Sequence, residues 1–263
     1  MKIAVCIKQV PDTTEIRIDP VKKTLIRTGV PSIMNPFDVN AVEAALELKD
    51  RYGGEVTVIS MGPGQAKAIL REAIAMGADH AYLVTDRAFG GSDTYATSYI
   101  LSQTLRKFGP FDIILGGKQA IDGDTGQTAP SIAEHLGAAR LTYVLDLKVE
   151  GDKVIAHRQI EEGSQVTESK MPVLCTVTKE TNVPRYPTLR RKLYSLRCDI
   201  PEVTLADMPE GFETGKIGLN GSPTRVKYTF TPERSNQCEK VEGSTSTEIA
   251  QNLIAKLTAA KAL

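Results

Sequence analysis

The first 137 residues alternate short unbroken apolar runs with segments in which apolar residues recur every three or four positions. Ile3, Ala4, Val5, Cys6 and Ile7 form the first run, which predicts a strand covered on both faces. Residues 55–60, 81–84 and 111–115 repeat that signal. Helical spacing falls between and after them. One helix is predicted from Pro36 to about Arg51 with Val39, Val42 and Leu46 on its core face, and another ends near Met76. A third carries Leu101, Leu105 and Phe108, and a fourth carries Ile132, Ala133 and Leu136. Strand and helix in alternation predict an α/β fold with a doubly wound parallel sheet.

The junctions carry turn and cap chemistry. Asn35 is placed to cap the first helix, Pro36 suits its first position, and Asp38 is placed to close a capping box. Met61, Gly62, Pro63 and Gly64 turn the second strand into a helix, and Ser92 or Asp93 caps another after Gly90 and Gly91. Between Leu115 and Pro130, two glycine-containing turns lead to Asp124 and Thr125 as caps for the fourth helix. Glycines there let backbone amides approach an anion, and the first helical turn adds unpaired N–H groups and the positive end of a dipole. A nucleotide phosphate suits such a junction, with Lys118, Gln119, Gln127 and Thr128 as further donors. Asp122 and Asp124 argue against an unshielded phosphate beside them, and a purely structural turn fits the same residues. Ligands of doubly wound sheets lie beyond the carboxyl ends of the strands, where several of these turns fall together. The G-x-G-x-x-G dinucleotide fingerprint is missing, so a different nucleotide-binding variant is expected.

Past Ala138 the pattern changes. Residues 144–149, 154–160, 165–168 and 173–178 read as antiparallel strands that extend the sheet at one edge. Residues 185–197 are basic and interrupted by proline, as in a solvated helix flank or a docking loop for an acidic partner. Residues 201–244 have little periodicity and read as an extended arm without a core of its own, and 248–263 as a terminal helix. The expected organisation is a nucleotide-binding α/β domain over 1–200 and an arm with a terminal helix over 201–263, packing on a partner subunit. Residues 11–27 read as a hairpin-like excursion over one end of the sheet.

Composition narrows the classes. Lys+Arg and Asp+Glu each total 32 in 263 residues, so nothing favours nucleic acid. The four cysteines are far apart, without a C-x-x-C pair, and the three histidines are scattered, so no metal site is readable. No apolar run approaches a membrane span, and a reducing, cytoplasmic compartment is expected.

Several motifs in order resemble the beta subunit of electron-transfer flavoproteins from end to end. They are Ile7-Lys8-Gln9-Val10, Met34-Asn35-Pro36-Phe37, Met61-Gly62-Pro63 with Met76-Gly77-Ala78-Asp79, and Gly117-Lys118-Gln119-Ala120-Ile121-Asp122 followed by Thr125-Gly126-Gln127. The family's signature region matches over 156–176, in His157-Arg158, Glu161-Glu162-Gly163, Gln165 and Lys170-Met171-Pro172, and departs at Thr167. The resemblance implies an adenine-nucleotide-binding, flavodoxin-like variant of the sheet and a heterodimer with an alpha subunit that holds FAD. It also implies a nucleotide in the beta subunit, which is AMP in simple electron carriers and a second FAD, reduced by NADH, in electron-bifurcating members. The short Asp122-to-Gln127 loop, the loop 86–91 and the Gly221-Ser222-Pro223-Thr224 turn resemble the bifurcating subgroup of anaerobic bacteria.

The resemblance then implies an electron-transfer subunit. It takes hydride from NADH and divides the electrons between ferredoxin or flavodoxin and the alpha-subunit FAD, which serves an acyl-CoA or 2-hydroxy-acid dehydrogenase. No acid–base pair or nucleophile is required, because the flavin carries the chemistry. Carried over by motif, the nucleotide contacts are Cys6, Lys8, Asn35, Pro36, Phe37, Asp38, Met61, Gly62, Pro63, Gly64, Asp122, Gly123, Asp124, Thr125, Gly126, Gln127 and Thr128. Leu189 aligns with the anchoring leucine of the loop that docks the flavin-dependent dehydrogenase. The rivals are an AMP-binding simple carrier and, more remotely, a nucleotide-sensing module without redox function.

Overall fold

The computed structural model describes residues 1–12, 31–228 and 238–262. The expected excursion over 11–27 lies outside them apart from its first two residues. The chain divides into two compact units, one of residues 1–17 and 25–227, the other of 18–24 and 228–263.

The first unit begins with β1 (Lys2–Ile7), the short pair β2 (Gln9–Pro11) and β3 (Ser32–Met34), and α1 (Pro36–Tyr52). It continues through β4 (Glu55–Met61), α2 (Lys67–Met76), β5 (His80–Val84), α3 (Thr94–Phe108), β6 (Ile113–Gly117) and α4 (Thr128–Leu136). Then come β7 (Ala139–Glu150), β8 (Lys153–Ile160), β9 (Gly163–Lys170), β10 (Val173–Val177), α5 (Leu189–Arg197), β11 (Glu202–Val203) and the single turn α6 (Gly218–Gly221). The main sheet has the order β11-β5-β4-β1-β6-β10-β7-β8-β9. It is parallel from β11 to β7 and antiparallel from β7 to β9.

Alternation along β1 explains the two layers. Ile3, Val5 and Ile7 pack under α1 and α2 with Val42, Leu46, Leu70 and Ile74, while Ala4 faces α3 and α4 with Ile100, Leu105 and Ile132. The sheet is doubly wound, as the periodicity predicts.

Three local expectations are corrected. First, β10 is not an antiparallel edge strand: it inserts parallel between β6 and β7, and all five of its residues are buried. Second, Asn35 holds the N-cap position of α1 as expected, but neither its side chain nor that of Asp38 makes a capping bond there. The Asn35 amide donates to the Gln119 carbonyl at 2.8 Å and accepts from Ile121 N at 3.2 Å, while Asp38 reaches two strand ends. Third, Asp124 and Thr125 stop short of α4, whose N-cap position is Gln127. For Asn35 and Asp38 distant backbone groups win the competition, because a buried backbone group without a partner costs more than a helix start without a side-chain cap, whereas Asp124 accepts from the Gln119 side chain.

Residues 201–227 also differ from an arm without a core. Glu202–Val203 adds β11 beside β5, and Val203 and Ile217 are buried with Ile100 and Phe89. In the second unit the start of α7 (Ser246–Ala259) is capped by Thr245, whose Oγ1 accepts from Glu248 N, while the Glu248 carboxylate accepts from Ser244 N one residue before the cap. No described helix is long and apolar enough to cross a membrane.

Candidate functional site

The chain steps from β1 to β4 and β5 on one side, then returns to place β6 on the other side of β1. At such a reversal the loops leave in opposite directions and open a crevice at the carboxyl ends of the strands. A cavity of about 500 Å³ lies there. Cys6, Lys8, Gly116 and Gly117 form its floor, the loop 118–128 and the start of α4 one side, and Ser92, Asp93, Thr94 and Thr97 at the start of α3 the other.

Asp38 organises the floor. From the first turn of α1 it is only 5% exposed, and its two carboxylate oxygens accept Lys8 N at 2.7 Å and Gly117 N at 3.0 Å. One carboxylate therefore ties the ends of β1 and β6 on either side of the crevice. Residue 117 has to be glycine for this approach, since a Cβ there would lie 2.4 Å from Asp38 Oδ1 and 2.6 Å from the Phe37 Cβ. Burial pushes the Asp38 carboxyl up to about 7, against the downward pull of Asn35, the two amides and the Lys8 charge. Burial, with Asp38 adding to it, also pushes the Cys6 thiol up to about 12, so Cys6 is a neutral lining group rather than a nucleophile.

The two acidic residues that argued against a phosphate are both engaged. Asp122 pairs with the Lys8 ammonium at 2.6 Å, and Asp124 Oδ1 accepts from Gln119 Nε2 at 2.8 Å. The two helix starts facing the cavity differ. Asp93 Oδ1 caps α3 through Ala96 N at 3.0 Å, whereas among the described residues no side chain caps α4. The first-turn amides of Thr128 and Ala129 have no intrahelical acceptor and leave this helix end open, and Pro130 contributes no N–H.

Of the residues singled out in the sequence, Cys6, Lys8, Asn35, Asp38, Met61, Asp122, Gly123, Thr125, Gly126, Gln127 and Thr128 line the cavity. Pro36, Phe37, Gly62, Pro63, Gly64 and Asp124 do not. Pro36 opens α1, Phe37 lies under the Lys179 ammonium at 5.0 Å, and Gly62 N bonds to the Val84 carbonyl at 3.0 Å. Leu189 is the first residue of α5, 74% exposed and outside the cavity. The segment before α5 is held by α1: the buried Glu43 carboxylate accepts the Arg185 amide at 2.9 Å and its guanidinium at 2.9–3.0 Å. The sequence reading missed the contribution of Ser92, Asp93, Thr94, Thr97 and Leu101. The signal was present, because Gly90-Gly91-Ser92-Asp93 repeats the strand, glycine turn and helix pattern of the other junctions.

Fold and crevice define a doubly wound α/β subunit with a ligand-sized cavity at its switch point. The electron transfer flavoprotein domain matches residues 22–208. The chain is 52% identical to the electron transfer flavoprotein subunit beta of Megasphaera elsdenii, over 99% of both chains. It is 48% identical to subunit CarD of the caffeyl-CoA reductase-Etf complex of Acetobacterium woodii, over 98% of both. It is 46% identical to protein FixA of Bradyrhizobium diazoefficiens, over 91% of this chain and 86% of that one. The chain belongs to the electron transfer flavoprotein family, as a beta subunit whose partner is an alpha subunit.

Proposed function

We propose that this subunit binds FAD in the switch-point cavity and takes part in NADH-driven electron bifurcation. Its electrons go to ferredoxin or flavodoxin and, through the alpha-subunit FAD, to an acyl-CoA or 2-hydroxy-acid dehydrogenase. The observation that carries the nucleotide reading is the uncapped α4 start facing a cavity whose acidic residues, Asp38, Asp93 and Asp122, already have partners. Bound FAD supplies hydride acceptance and one-electron transfer, and the protein supplies position and field.

The residues fit such a group. The Thr128 and Ala129 amides and the α4 dipole hold a phosphate, and Lys8, at the same end, adds a positive charge. Asp38 keeps the two strand ends at a fixed separation, so the crevice is formed before the ligand arrives. Met61, Leu101 and Ile132 supply apolar lining that excludes water from a ring system. What supports bifurcation over a simple AMP carrier is the resemblance of the short 122–127 loop, the loop 86–91 and the 221–224 turn to the bifurcating subgroup.

The test is anaerobic. NADH is added to the complex of this chain with its alpha partner, together with ferredoxin, an acyl-CoA dehydrogenase and its enoyl-CoA substrate. Ferredoxin reduction that requires the enoyl-CoA supports the proposal, and ferredoxin left oxidised under every combination contradicts it.

A further inference from the structure

Two segments that the nucleotide site does not explain interlock beside it: the loop 86–93 between β5 and α3 and the segment 218–226. Gly218 N donates to Ser92 Oγ at 3.0 Å, and Asp93 N donates to Ser222 Oγ at 2.8 Å. Thr224 donates to Asp93 Oδ2 twice, from its amide at 2.9 Å and its hydroxyl at 2.7 Å. The two backbones touch, because a Cβ on Gly218 (φ +60°) would lie 2.4 Å from the Ala88 carbonyl oxygen. Two residues past the latch, Val226, 84% exposed, is the residue of this segment that lines the cavity. The Asp93 carboxylate serves both partners at once, with Oδ1 on the α3 amide and Oδ2 on Thr224; burial raises its pKa, but the bonds from Thr224 and Ala96 outweigh that and hold it below the usual carboxylate range.

We propose that residues 218–226 are a strap that brings Val226 to the mouth of the nucleotide cavity, latched by Asp93 to Ser222 and Thr224, and that opening the latch sets the rate at which the nucleotide leaves. Thr224 is a positioning residue here: it touches Asp93, not the ligand. The strap keeps Val226 against the cavity. Asp93, already saturated by protein donors, leaves the phosphate to the α4 end. This inference rests on the nucleotide reading of the cavity and adds to it the element that controls release.

The experiment uses the full chain and two probes, radiolabelled FAD and radiolabelled AMP, chased with unlabelled nucleotide. Hydrogen exchange over 218–227 is measured in parallel. Thr224→Val removes one hydrogen bond to a carboxylate, and the Ser222→Ala/Thr224→Val double variant removes the latch side chains on the strap. Faster exchange over 218–227 and release accelerated about tenfold in the single variant, more in the double, are expected. Release unchanged while the strap exchanges faster overturns the proposal, as does a strap that stays protected in the double variant. A wild-type chain that retains neither nucleotide overturns the reading of the cavity and the strap's role with it; retention with unaltered release in opened variants overturns the strap alone.

Discussion

The Asp38 carboxylate accepts the Gly117 amide at 3.0 Å, across a gap that a methyl group on residue 117 would fill. Gly117→Ala therefore has to push Asp38 or Phe37 away. Overpacking of this kind costs about 1–3 kcal/mol. Because the strain falls on the cavity floor, nucleotide retention is expected to fall with stability. Urea unfolding with equilibrium dialysis of FAD checks both; an unchanged midpoint would show that the floor yields.

Asp38→Asn replaces one of two acceptors with a donor facing a backbone N–H. A loss of about 1–3 kcal/mol is expected. The pH dependence has a definite sign. The folded carboxyl is raised to about 7, above the unfolded value of about 3.9. The folded state thus binds the proton more tightly, and this group's contribution to stability is full below about pH 4 and lost as pH rises to about 7. Asp38→Asn should flatten that part of the stability profile, as measured by urea titrations at pH 5 and pH 7.5. An unaltered slope would assign it to other groups.

Lys8 and Asp122 pair at 2.6 Å with the lysine side chain half exposed, so breaking the pair should change stability by less than about 1 kcal/mol. Affinity should separate the two partners. Lys8→Met is expected to weaken FAD binding about tenfold, as a charge-assisted contact is lost. Asp122→Asn leaves Lys8 free for the phosphate and should hold or raise affinity. Equal weakening by both would place the pair outside the binding event.

Arg185 joins the chain before α5 to Glu43, whose side chain is 5% exposed while that of Arg185 is 34% exposed. Arg185→Met leaves the buried Glu43 carboxylate without a counter-charge, holding only the backbone amide of residue 185, and is expected to cost about 3 kcal/mol, the lower end for such a change because the arginine is partly solvated. Arg185→Lys should recover only part of this, lacking the forked donors. Hydrogen exchange over 179–188 should rise in step with the loss.

The layered sheet was legible because apolar runs and helical spacing are local signals. The parallel insertion of β10 had a signal too: Val173–Val177 is an unbroken buried run, unlike the exposed alternation of β9, and an unbroken run marks a strand covered on both faces. The site was legible as a set of turns at one end of the sheet, but not in its bonding. Asn35, Asp38 and Asp124 read as caps because capping rules see only near neighbours, while their partners lie at Gln119 and Ile121, at Lys8 and Gly117, and at Gln119. The packing of 201–227 depends on contacts with residues more than a hundred positions earlier, such as Leu205 N to Asp86 and Glu213 N to Tyr99, which no periodicity encodes.

The central claim, a flavin nucleotide in the switch-point cavity, is tested most directly by counting. The chain is co-expressed with its alpha partner, the purified complex is denatured, and FAD and AMP are quantified by chromatography. Two FAD per heterodimer are predicted; one FAD with one AMP would contradict the bifurcating assignment and leave a single-flavin electron carrier.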